Sequence, residues 1–137
     1  MVAYRSANKT VYSAKYHVIW CPKFRRRVLV GDVGVRLKQS IGEVVAEAGG
    51  EVIEVEVVAD HVHLLVEVPP AAALSGLVQK LKRRSSRMLR AELPTLARLP
   101  ALWRLLALWS PSWFVSTVGG APLDVVRRYV ENQKQVV

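Results

Sequence analysis

Cysteine is nearly absent: Cys21 is the only one in 137 residues. No internal disulfide can form, so the fold must be held by burial, and a cytoplasmic setting is expected. Long apolar runs are missing too. The most apolar stretch, Leu99 to Trp109, is broken by Pro100 and Arg104. It falls well short of the roughly 20 apolar residues that span a bilayer, so no membrane partner is expected. The opening residues Met1-Val-Ala-Tyr-Arg-Ser-Ala-Asn show no apolar core of a secretory signal. Internal repeats, low-complexity tracts and a dividing linker are likewise missing, which points to one domain over 1–137. Acid is scarce relative to base: 11 Asp+Glu face 20 Lys+Arg, a net charge of +9. Such an excess in a short chain favours a polyanionic partner, nucleic acid above all. Apolar side chains are plentiful at 51%, enough for a packed core rather than a disordered tail.

The pattern along the chain predicts β-α-β-β-α-β and then one more helix. Residues 12–21 are aromatic and β-branched and read as a strand that Pro22 ends. Val33, Leu37, Ile41, Val44, Val45 and Ala48 recur at helical spacing over 33–48, and Gly49-Gly50 stops that helix. Residues 51–58 alternate Glu with Val or Ile, as a half-exposed strand does. Ala59-Asp60 is a tight turn into a strand over 61–68, so the two form a hairpin. A second helix covers 73–91, with Leu74, Leu77, Leu81 and Met88 on one side. Residues 92–110 resist assignment. Residues 112–118 read as a fourth strand, Gly119-Gly120 as a hinge, and about 121–135 as a final helix with Pro122 in its first turn. The order is that of a ferredoxin-like α+β fold: an antiparallel sheet with two helices on one face and the other face free.

Three groups of residues can carry chemistry. In Asp60-His-Val-His-Leu-Leu-Val, strand alternation sends His61 and His63 to one face and Val62, Leu64 and Val66 to the other. Two imidazoles about 7 Å apart along a strand can converge on one divalent ion. Alone, a His-x-His pair is more often two hydrogen-bonded histidines on a sheet surface. His17 has no sequence neighbour of its kind and reads as structural. In Arg127-Arg-Tyr-Val-Glu-Asn-Gln, Tyr129 and Gln133 lie one helical turn apart and share a face. Tyr129 is a possible covalent nucleophile if its proton is drawn off, and Gln133 can offer an amide oxygen to a metal. Alone, this segment is more often an ordinary amphipathic helix with a half-buried tyrosine. The third group is basic. Lys23, Arg25, Arg26 and Arg27 follow the first strand, and Lys80, Arg83, Arg84, Arg87 and Arg90 form a stripe on the second helix opposite its leucines. No acid interrupts 79–90, so phosphate contacts are a better reading than a merely solvated face.

Taken together, these motifs resemble the HUH-type single-tyrosine transposases of small bacterial insertion sequences, a family that includes transposases associated with repetitive extragenic palindromes. Tyr16-His-Val-Ile-Trp-Cys-Pro-Lys-Phe-Arg, Asp60-His-Val-His-Leu-Leu-Val, Leu108-Trp-Ser-Pro-Ser-Trp-Phe-Val-Ser-Thr-Val-Gly and Arg128-Tyr-Val-Glu-Asn-Gln match it in order, over nearly the whole chain. The resemblance implies that His61, His63 and Gln133 bind Mg²⁺ or Mn²⁺ and that Tyr129 is the catalytic nucleophile, forming a 5′-phosphotyrosine with single-stranded DNA beside a hairpin. Arg127 and Arg128 would flank it on the DNA. It implies a homodimer with joined sheets and a tyrosine helix able to serve the partner subunit. Family members often carry a Gly-rich stretch before Leu108, where this chain has Leu99-Pro-Ala-Leu-Trp-Arg-Leu-Leu-Ala. From another class, a non-catalytic ferredoxin-like nucleic-acid-binding module would place aromatic pairs on the central strands, where this chain has histidines. A host-adopted relative acting on chromosomal palindromic repeats would share the chemistry. Replication initiators and relaxases are usually longer.

Overall fold

The computed structural model describes residues 5–7, 10–12, 14–69, 72–92, 108–118, 128 and 130–132. Two short strands, β1 (Arg5–Ala7) and β2 (Thr10–Tyr12), pair with each other as a separate antiparallel ladder. The main body follows: β3 (Lys15–Trp20), α1 (Asp32–Glu47), β4 (Glu51–Val58), β5 (His61–Glu67), α2 (Leu74–Glu92) and β6 (Phe114–Thr117). The last four strands form one sheet in the order β4-β5-β3-β6, antiparallel throughout. With both long helices on one face, this is the ferredoxin-like arrangement that the pattern predicts.

The first strand differs from its expected span of 12–21. Tyr12 belongs to β2, and the sheet strand begins at Lys15. Three-residue strands are too short to show a period, so β1 and β2 leave no readable alternation.

The helices form because each repeats an apolar stripe. In α1 the buried side chains are Leu37, Ile41, Val44 and Val45, and in α2 Leu77, Val78, Leu81 and Leu89. Leu74 and Met88 pack half-buried beside them. Both stripes meet Val18 and Trp20 of β3 and Val62, Leu64 and Val66 of β5 in one core. Fully burying such side chains contributes roughly 1.5–3 kcal/mol each. Strand alternation turns the neighbours of these residues, His17, His61 and His63, to the opposite face.

α1 ends in a left-handed glycine, Gly49, at φ 76°. The Gly49 amide donates to Ala46 O and the Gly50 amide to Val45 O, each at 3.0 Å. This is the Schellman closure that Gly49-Gly50 predicts. Gly50 then runs so close to β5 that a Cβ there would lie 2.7 Å from Glu67 O. Gly50→Ala therefore forces the α1 end off the sheet, and we expect about 1–3 kcal/mol of lost stability by denaturant unfolding. An unchanged midpoint would show that this approach relaxes freely.

β4 alternates as expected but carries a bulge between Val52 and Glu54, which leaves Ile53 exposed. The bulge keeps Val52, Val55 and Val57 against the core on both sides of the irregularity. No described helix is long and apolar enough to cross a membrane.

Candidate active site

The face of the sheet away from the helices carries the histidines. His61 and His63 are both half-exposed, while Val62 and Leu64 between and after them are fully buried. His17 joins them. It is diagonal to His63 across the β3–β5 ladder, with its Nδ1 3.0 Å from His63 Nε2. The two rings stack with centroids 5.2 Å apart. A histidine without a sequence neighbour of its kind thus gains one through sheet register, which no linear pattern shows.

Burial, reinforced by the adjacent His17, pushes the His63 imidazole below the ordinary histidine range, while Glu54 and Glu56 of β4 pull it back. The net effect favours the neutral ring, the form that offers a lone pair to a metal. These two acids on the neighbouring strand are a part of the site that the sequence reading missed. Glu56 stands directly opposite His63 in the ladder.

His61 is oriented from behind. Asp60 Oδ1 lies 2.9 Å from His61 Nδ1. Asp60 is itself nearly buried at 7% exposure, and its other oxygen accepts from Arg25 Nε at 2.6 Å. Burial alone would raise the Asp60 pKa. The hydrogen bonds from Arg25 and His61 outweigh it and hold the carboxyl below its usual value. An ionised Asp60 accepting at Nδ1 leaves His61 Nε2 as the nitrogen available to a ligand, the arrangement that carboxylates impose on metal-binding histidines. The donor set fits a divalent ion in this respect: two imidazoles on one face, one oriented by a carboxylate and one kept neutral. Among the described residues no group of three or more His, Cys, Asp or Glu side chains gathers to hold a metal. Gln133, the expected third ligand, lies outside the described residues, as do Tyr129, Arg127 and the expected hinge Gly119-Gly120.

Part of the last helix is in view. Residues 128 and 130–132 are helical, and Val130 O accepts from Arg25 Nη1 at 3.3 Å. The backbone beside Tyr129 in sequence is thus anchored to the same guanidinium that holds Asp60. Arg128 is exposed.

Arg25 reaches these partners from an unusual turn. Phe24 and Arg25 have φ of 58° and 51°, left-handed conformations that cost non-glycine residues roughly 1–3 kcal/mol each. The turn is tied down by the Lys23 amide to Leu108 O and the Arg25 amide to Pro22 O, both 2.9 Å. Of the four bases expected to meet phosphate after the first strand, Arg25 is therefore turned inward, whereas Arg26 and Arg27 are exposed and Lys23 is half-buried. Arg26 lies over the Phe24 ring at 5.7 Å.

The α2 stripe divides in two. Lys80 and Arg84 face Glu47 of α1 in ion pairs, an acid supplied by another element and so invisible in 79–90. Arg83, Arg87 and Arg90 line a cleft of about 550 Å³ together with Lys82, Trp109 and Trp113. Lys82 donates to Ser110 O at 3.0 Å and Ser112 O at 2.8 Å, fixing the segment that carries both indoles. Burial pushes its ammonium down to about 8, against a smaller pull upward from Cys21. Cations and indoles lining one cleft suit a nucleic-acid strand. Residues 108–110, unassignable from sequence, form part of this wall: Leu108, Trp109 and Ser110 are buried, and Trp109 bridges to Pro22.

Cys21 is fully buried, and its thiol is pushed up to about 12, by burial first and then by Asp60. It therefore takes no part as a nucleophile. Iodoacetamide should leave Cys21 unmodified in the folded protein and label it only after denaturation; rapid labelling of the native chain would overturn its burial.

Comparison with known proteins bears on the family of the chain. Residues 10–133 match the family described as "Transposase IS200 like". The ISDra2 transposase TnpA of Deinococcus radiodurans is 40% identical over 123 residues, which cover 90% of this chain and 86% of that one. A transposase for insertion sequence element IS200 from Salmonella typhimurium is 32% identical over 85 residues, 62% of this chain and 56% of its own. Among solved structures, a transposase candidate from Deinococcus radiodurans R1 superposes with a TM-score of 0.82 at 32% identity, covering 94% of this chain and 97% of that one. A REP-associated tyrosine transposase, solved bound to a REP hairpin, shares the fold with a TM-score of 0.57 at 16% identity, over 96% of this chain and 69% of its own. With the family matched across nearly its whole length and the histidine pair on the open sheet face, this chain belongs to the IS200-like transposases.

Proposed function

We propose that this transposase cuts and rejoins single-stranded DNA at insertion-sequence ends through a covalent bond between DNA and Tyr129. The observation that carries the reading is the convergence at one end of the open sheet face. There His61 and His63 stand beside Asp60 and Arg25, and the last helix reaches the same Arg25 through Val130 O.

Tyr129 Oη attacks phosphorus in line, the tyrosine proton is lost, and the bond from phosphorus to the 3′ oxygen breaks. The products are a 5′-phosphotyrosine and a free 3′-OH that has taken up a proton. One ester replaces another, so a second 3′-OH can displace the tyrosine without ATP. His61 and His63, with Gln133, are the residues that would hold Mg²⁺ or Mn²⁺. Bound there, such an ion supplies Lewis-acid polarisation of the scissile phosphate. Asp60 keeps His61 in the required tautomer.

Arg26, Arg27, Arg127 and Arg128 bind flanking phosphates, and the cleft lined by Arg83, Arg87, Arg90 and Trp113 receives a folded part of the DNA end. The cleft is on the helical side and the histidines on the other. A DNA end that engages both therefore carries a structured segment behind its scissile strand, in keeping with hairpin ends. Two chains join through their sheets, and the hinge at Gly119-Gly120 lets the helix over about 121–135 serve either subunit's histidines.

The test is incubation of the protein with end-labelled single-stranded DNA and Mn²⁺, followed by denaturing electrophoresis. A labelled adduct that survives denaturation and disappears with EDTA is expected. DNA binding without any adduct would leave a non-catalytic binding module.

A further inference from the structure

We infer that Arg25 is a latch that couples the seating of the last helix to the orientation of His61. This rests on the proposed role of His61 but concerns residues that bind neither metal nor DNA in it. One guanidinium spans two elements. Its Nε donates to Asp60 Oδ2 at 2.6 Å and its Nη1 to Val130 O at 3.3 Å. The carboxylate it grips holds His61 Nδ1 through the other oxygen. A continuous path thus runs from the backbone next to Tyr129, through Arg25 and Asp60, to one imidazole.

Three features argue that this path is built and not incidental. The Arg25 and Asp60 side chains are 17% and 11% exposed, so the pair is shielded from the water that makes surface ion pairs weak. Arg25 is aimed by two successive left-handed residues, Phe24 and Arg25, a conformation that persists only where the surroundings impose it and that concentrates at functional sites. The segment returning from the turn is pinned next to Asp60, where the Leu29 amide donates to Ala59 O at 2.9 Å. A planar guanidinium holds a carboxylate and a carbonyl on different elements in one fixed geometry, whereas a lysine ammonium is a compact charge on a flexible stem that fixes neither direction.

The helix and the histidine therefore settle together. When the helix leaves, Arg25 loses one partner and the grip on Asp60 loosens; when the Arg25–Asp60 contact is broken by substitution, the helix loses part of its anchor. Arg25 and Asp60 are positioning residues for the cleavage step.

The test uses the full-length protein without metal and the conservative variants Arg25→Lys and Asp60→Asn, with amide hydrogen exchange as the first measurement. Exchange in residues 128–132 should speed up by about tenfold or more in both variants, while the β3 and β5 amides keep their protection. The effect of Asp60→Asn is the decisive one, because among the described residues Asp60 reaches that helix through Arg25. Wild-type exchange at 128–132 in either variant overturns the latch. A second measurement is Mn²⁺ titration: Arg25→Lys should weaken binding by about 3–10-fold, less than the about 10–100-fold scale of losing the outer partner itself, because Asp60 still reaches His61. Unchanged Mn²⁺ affinity in Arg25→Lys, beside binding lost in His61→Ala, overturns the coupling and leaves the metal role of His61 standing. If the wild-type chain binds no Mn²⁺ and forms no DNA adduct, the catalytic reading fails, and the exchange result still decides the latch.

Discussion

Tyr129→Phe should eliminate the covalent protein–DNA adduct and lower strand cleavage by at least about a thousandfold, with DNA affinity changed by no more than about twofold. The size follows from the type of loss. Removing a nucleophile removes the reaction path itself and leaves only the background rate that positioning can support. Affinity is spared because it comes from the bases distributed over the chain, 20 Lys+Arg in all, and a single hydroxyl carries no phosphate charge. Electrophoresis after denaturation reads the adduct, and filter binding reads affinity on the same DNA. Residual adduct in the variant would move the nucleophile elsewhere. Cys21, with its thiol pushed up to about 12, is an unsuitable substitute.

Much of the frame was legible because it depends on local periodicity. The α1 and α2 stripes, the Gly49-Gly50 stop and the alternation through His61, Val62 and His63 all follow from residues close in sequence, and each appears in the structure as expected. What sequence could not show is what crosses between elements. His17 meets His63 only through the register of β3 on β5. Glu47 neutralises part of the α2 stripe from α1. Arg25 reads as one more base in Lys23-Phe-Arg-Arg-Arg until its left-handed backbone turns it onto Asp60. The Asp60-His61 pairing had a local signal in adjacency, but the burial that makes the carboxylate an orienting group did not. The sheet bulge at Ile53 leaves a trace in sequence, the doubled Val52-Ile53 that interrupts the alternation, but only the register against β5 shows which residue is extra.

The division of labour across the sheet sets the second large effect. His61→Ala and His63→Ala should each cut Mn²⁺-dependent cleavage by at least about a hundredfold while leaving the fold intact. The loss exceeds that of an outer partner, about 10–100-fold, because a ligating nitrogen itself is removed. The stability argument runs the other way. Both imidazoles are half-exposed on the face opposite the core, and Val62, Leu64 and Val66, fully buried on the helical side, are untouched by either change. In His61→Ala the Asp60 carboxylate keeps Arg25, so no buried charge is orphaned. In His63→Ala the ring that burial and His17 keep neutral disappears, removing a cost that grows as acid forces a proton onto it. Its folded pKa lies below the unfolded one, so the native state loses stability as pH falls through the unfolded value of about 6.5. The variant should therefore unfold less readily in mild acid than the wild type, by a margin that vanishes near pH 8. Thermal unfolding at pH 8 and at pH 5 measures that difference, and Mn²⁺ titration of cleavage measures the catalytic one. An undiminished Mn²⁺ response in both variants would take the metal away from these histidines and leave them as surface residues hydrogen-bonded to Asp60 and His17.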